Sequence, residues 1–68
     1  MASELESAAW AVIEAQRKIW RLWQDTPQDD PVEQRLDFAN GELVNIIEDL
    51  QPYSEAARAW RPNNPNRL

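Results

Sequence analysis

The sequence has no cysteine and no histidine. Without cysteine there is no disulfide and no thiolate metal ligand, and without histidine the common zinc and iron ligand sets are gone. A single glycine rules out a glycine-rich phosphate loop. The one lysine, Lys18, falls on a charged helix face, and the serines Ser3, Ser7 and Ser54 fall at helix starts, where they suit capping better than nucleophilic attack. Neighbouring carboxylates are present in Asp29-Asp30 and Glu48-Asp49. Adjacent helical residues point about 100° apart, so these do not form acid–base pairs by themselves. The composition therefore predicts no enzyme, no cofactor and no bound metal.

Basic residues are also scarce: 7 against 12 acids, for a net charge of −5. Binding to nucleic acid or to an anionic membrane needs a basic face, so neither partner is expected. No run is long or apolar enough to cross a bilayer, and the start lacks a basic-then-apolar signal pattern, which predicts a cytoplasmic protein.

A chain of 68 residues forms one small domain with a marginal core. The usual supports for such a core are disulfides, metals or oligomerisation, and only the last remains. Four tryptophans in so short a chain mark large apolar surfaces that must be covered.

The clearest pattern runs from Val32 to Tyr53. Its apolar residues are Val32, Leu36, Ala39, Leu43, Ile46, Leu50 and Tyr53, in alternating steps of four and three, and Ile47 widens the stripe. That is the spacing of a coiled-coil seam. Glu33, Asp37, Glu48 and Asp49 lie opposite. Asp30 suits the N-cap, Pro31 the first helical position, and Glu33 the capping-box position. Asn40-Gly41 interrupts this helix at a cost of about 1 kcal/mol, but the stripe continues in register on both sides, which favours one continuous helix.

Ser3 to Asp25 reads as an earlier helix. Ser3 and Glu6 have capping-box spacing, and Glu14 and Lys18 form an oriented i,i+4 pair. Leu5, Ala8, Val12, Ala15, Ile19 and Leu22 make one seam, while Ala9, Ile13, Trp20 and Trp23 spread the apolar arc to about half the circumference. One partner helix covers less than that. The turn Thr26–Pro31 is short, so the two helices are antiparallel neighbours. Pro52 ends or kinks the second helix, and Tyr53, Ala56, Ala57 and Trp60 carry helical spacing into a third, folded back so that Trp60 caps one end of the hairpin. The expected fold is all-α: an antiparallel helical hairpin within 1–61, with helices over 3–25, 31–51 and 54–61, dimerising into a four-helix bundle. Residues 62–68 read as a flexible tail.

Ile13-Glu14-Ala15-Gln16-Arg17, the short turn, Glu42-Leu43 and Ile46-Ile47 loosely resemble the small helical-hairpin phosphatases that act on sporulation response regulators. That family carries Ser-Gln-x-x-Asp on its second helix. The matching positions here are Asn40, Gly41 and Val44, so the resemblance implies a hairpin and no activity.

The function that follows is docking on another protein, as a small acidic regulator or inhibitor that is itself a homodimer. Two other readings stand beside it: a structural subunit or assembly chaperone of a hetero-complex, and an acidic nucleic-acid mimic built on Asp29, Asp30, Glu33, Asp37, Glu48 and Asp49. Candidate partner contacts are Trp10, Arg17, Trp20, Trp23, Phe38, Gly41 and Trp60. Candidate core and dimer-seam residues are Leu5, Val12, Ile19, Leu22, Val32, Leu36, Leu43, Ile46, Ile47 and Leu50. Arg58, Arg61 and Arg67 make the end of the chain basic against the acidic stretch from Asp29 to Asp49.

Overall fold

A computed structural model describes residues 3–62. The expected tail, with Arg67, lies outside the described residues except for Pro62. Three helices follow in order: α1 (Glu4–Asp25), α2 (Pro31–Leu50) and α3 (Glu55–Ala59). None among the described residues is long and apolar enough to cross a membrane.

Each helix starts on a side-chain cap. Ser3 Oγ accepts from the Glu6 N–H, Asp30 Oδ1 from the Val32 N–H, and Ser54 Oγ from the Ala57 N–H. These bonds satisfy donors that have no intrahelical acceptor. At the end of α1, Thr26 Oγ1 donates to the Leu22 carbonyl and the Thr26 N–H to the Trp23 carbonyl, and the chain turns. Helix α2 runs unbroken through Asn40 and Gly41, with no positive φ there. A Cβ added at Gly41 would meet nothing within 4 Å, so none of the other described residues needs this glycine for close approach. After Pro52 the chain folds back through a turn stitched by Gln51 Nε2 to the Ala57 carbonyl and Arg58 Nε to the Gln51 carbonyl. Helix α3 is shorter than its spacing predicts, because Ser54 is its N-cap and Trp60 its C-cap.

The pairing is antiparallel. Trp23 bonds Glu33, Gln16 bonds Asn40, and Glu6 bonds Ser54, so positions rise on one helix as they fall on the other. On α1 the line Ala9, Ile13 and Gln16 is buried, continued by half-buried Trp20 and Trp23. On α2 the line is Glu33, Leu36, Asn40, Val44 and Ile47. Ile13 and Ile47 meet Ala57 and Trp60 in the central cluster.

This contact line corrects the predicted seams. On both helices it lies one residue later than the stripe that the four–three spacing picks out, except at Leu36, which belongs to both. Ile46, expected in the core, is 42% exposed, whereas its neighbour Ile47 is fully buried. Leu5, Leu22 and Val32 are exposed, as is Tyr53 beyond the end of α2. Val12, Ile19, Leu43 and Leu50 are half-buried, and Leu36 is buried. The physical reason is the width of the apolar arcs. Each helix carries apolar residues on two adjacent lines about 100° apart, and the inward one also holds Gln16, Glu33 and Asn40, which bond across the contact. Setting Ile13 against Ile47 lets Ala57 and Trp60 close over them, which the other facing would not.

Candidate interaction surfaces

Two surfaces follow from this geometry, on opposite sides of the hairpin. In an antiparallel pair, stepping one residue back from the contact line turns both helices toward the same side. On α1 that step gives Leu5, Ala8, Val12, Ala15, Ile19 and Leu22. On α2 it gives Val32, Arg35, Ala39, Leu43, Ile46 and Leu50. Stepping one residue forward gives Trp10 and Arg17, and α3 lies on that side, since Trp10, Arg17 and α3 residues line one hollow. Apart from Leu36, which is buried at the contact and gives way to Arg35, the stripes read from the sequence therefore lie side by side on the open face, away from α3. Arg35 is the one charged member. Leu22 and Val32 are about half exposed, at 52% and 50%.

The second surface is a groove between α1 and α3. Trp10, Ile13, Arg17, Ala56, Ala59 and Trp60 enclose a hollow of about 240 Å³. A shallower hollow of about 480 Å³ shares Trp10, Ala56 and Ala59 with it and reaches Glu6 and Glu55. The two flank Trp10 and form one trough. Small side chains at Ala56 and Ala59, three apart on one face of α3, leave the space that Trp10 overhangs. The trough is polar at its ends in opposite senses, with Arg17 at one and Glu55 at the other.

Glu6 fixes α3 in this position. Its Oε2 accepts from the Glu55 N–H at 2.8 Å, and its Oε1 accepts from the Ala56 N–H at 3.2 Å and from Ser54 Oγ at 3.0 Å. These bonds hold its carboxyl below the usual glutamate range, led by the Glu55 and Ala56 N–H groups and assisted by Ser54 and Arg58, against the opposing effect of burial. The sequence marks Glu6 only as a capping-box partner of Ser3. Glu33, its counterpart on α2, likewise reaches across the fold, where its Oε2 accepts from Trp23 Nε1 at 2.7 Å.

Of the predicted contact residues, the structure brings Trp10, Arg17 and Trp60 together in the groove. Trp60, expected as a partner contact, is 7% exposed and is mainly core. Trp20 and Trp23 are half-buried toward the turn end of the hairpin. Phe38, 70% exposed, stands on the far side of α2, and Gly41 is exposed on the same helix. Sequence reasoning missed Ala56, Ala59 and Glu55. The pair of small residues at helical spacing in α3 was the available signal.

No family model, characterised protein or solved structure matches the chain.

Proposed function

We propose that the protein is a binding module: a helical hairpin that pairs with a second copy through its open face, giving a four-helix bundle that docks on a larger protein as a regulator or inhibitor. The observation that carries the reading is the open face itself. Two largely apolar lines, interrupted on α2 by Arg35, lie side by side there, and in the single chain Leu5, Leu22, Val32 and Ile46 on it are exposed. Meanwhile only four large apolar side chains are buried among the described residues: Ile13, Leu36, Ile47 and Trp60. A core that small calls for further burial.

The dimensions suit a second copy. Helices of 22 and 20 residues are about 33 and 30 Å long. Packed about 10 Å apart they present a face of roughly 600 Å², so two copies bury about 1,200 Å², the lower end of stable interfaces. Heptad-like spacing on both helices suits helix-on-helix packing, the geometry of four-helix bundles. Phe38, on the far side of α2, stays outside such a bundle and is the anchor offered to the larger partner.

The test is the mass in solution, by light scattering across a dilution series. We expect twice the 7.9 kDa of one chain, and a single-chain mass for Ile46→Glu. A wild-type monomer at every concentration, or a dimer that survives Ile46→Glu, would overturn the reading.

A further inference from the structure

We infer that the groove between α1 and α3 is a docking site for a short segment of another protein carrying an acidic side chain next to a large apolar one. This deepens the binding-module reading by stating what the partner presents, but it concerns the side opposite the open face and does not rest on dimerisation.

Three observations converge. The groove is apolar between its charged ends and open, with Ile13 at its base, Ala56 and Ala59 on one wall and Trp10, half exposed, on the other. An exposed indole beside a recess is the kind of anchor on which interfaces concentrate their energy. Arg17, exposed, stands at one end, where its planar guanidinium suits a carboxylate. Finally, Trp60 lines this same hollow, and its indole N–H is buried without an acceptor among the described residues. A buried donor left unpaired costs free energy that an incoming acceptor recovers.

The exposed Arg17 guanidinium and Trp60, whose buried indole N–H is orphaned, thus line one hollow whose remaining lining is apolar. A carboxylate flanked by an apolar side chain complements both features. The opposite polarity at the Glu55 end sets the direction of the segment, with its acid toward Arg17. A basic segment would have to bind at the Glu55 end, where Glu6 is already engaged by Ser54, Glu55 and Ala56.

The test uses the full chain and three blocked pentapeptides, Ac-Gly-Asp-Leu-Phe-Gly-amide and its Asn and Lys counterparts at the second position. The readout is the four tryptophan indole N–H signals in a nitrogen–proton NMR spectrum, assigned with Trp10→Phe and Trp60→Phe. The Asp peptide should move the Trp10 and Trp60 signals and leave Trp20 and Trp23 in place. It should bind about tenfold more tightly than the Asn peptide, as loss of a charged hydrogen-bond partner implies. Arg17→Gln, a change at an exposed position, should remove that preference while leaving the unliganded spectrum folded. The proposal is overturned by still signals at millimolar peptide, by a preference for the Lys peptide, or by an Asp preference that survives Arg17→Gln. A chain that is monomeric yet prefers the Asp peptide would sink the dimer reading alone. A dimer with still signals would sink the groove alone.

Discussion

The two sides of the hairpin differ in lining and meet different fates: one step forward of the contact line, α1 is largely polar apart from Trp10, and one step back it is apolar. On one, α3 lies over the Ile13–Ile47 contact, Ala57 and Trp60 complete the cluster, and Glu6 ties down the backbone of α3. On the other, Leu22, Val32 and Ile46 face outward. Apolar spacing alone therefore does not mark which line is filled within the chain. What separates the sides is a short third element with one carboxylate to hold it.

Ile46 and Ile47 test this comparison most directly, being adjacent in sequence and opposite in burial. Ile47→Ala should cost about 2–5 kcal/mol, since it leaves a cavity beneath α3. Ile46→Ala should cost far less at concentrations where the chain is single, and should act instead on association. Urea unfolding of the two variants at low concentration is the measurement, and equal losses would erase the distinction between the sides.

Glu6 offers a way to make the covered side resemble the open one. Its carboxyl is held below the usual range in the folded chain, so it binds protons less readily there than when unfolded. The stability it adds is present at neutral pH. That stability declines as pH falls through the usual glutamate value, and is lost once pH passes below the folded value. Release of α3 on acidification should redden tryptophan emission as Trp60 meets water. Glu6→Gln should show the reddened emission already at neutral pH and lose the acid step.

A smaller effect is expected at the polar pair in the middle of the hairpin. Gln16, 1% exposed, donates from Nε2 to Asn40 Oδ1 at 2.9 Å, while its own Oε1 is buried without a partner among the described residues. Replacing both by leucine removes the orphaned oxygen together with the bond, and should be neutral or stabilising by up to about 1 kcal/mol. Thermal unfolding reads this as a rise of up to roughly 8 °C for a domain of this size. A clear loss would mean that the pair fixes the facing of the two helices.

The smallest change is at Gly41. Its φ is not positive and a Cβ there meets nothing, so Gly41→Ala should raise stability by up to about 1 kcal/mol in urea unfolding. A destabilised variant would place another chain against Gly41.

Local features carried the legible part of the fold. Ser3, Asp30 and Ser54 each cap the helix that their position predicts, Pro31 opens α2, and the continuous stripe overrode Asn40-Gly41. The site was less legible. Trp10 and Arg17 stand out in the sequence, but their neighbours Ala56, Ala59 and Trp60 are more than 35 residues away and meet them only through the fold. Glu6 and Glu33 look like matching capping-box residues, yet both carboxylates make long-range contacts.

By itself, then, the sequence determined that there are helices, where they start, and that the first carries more apolar surface than one neighbour can cover. Only the tertiary structure decided which line faces inward. The line that faces inward is the less apolar of the two, since it includes Gln16, Glu33 and Asn40, so apolar spacing alone picks the other one. The choice falls to contacts that no local pattern encodes: Trp60 and Ala57 seated over Ile13 and Ile47, and the Glu6 carboxylate holding the start of α3.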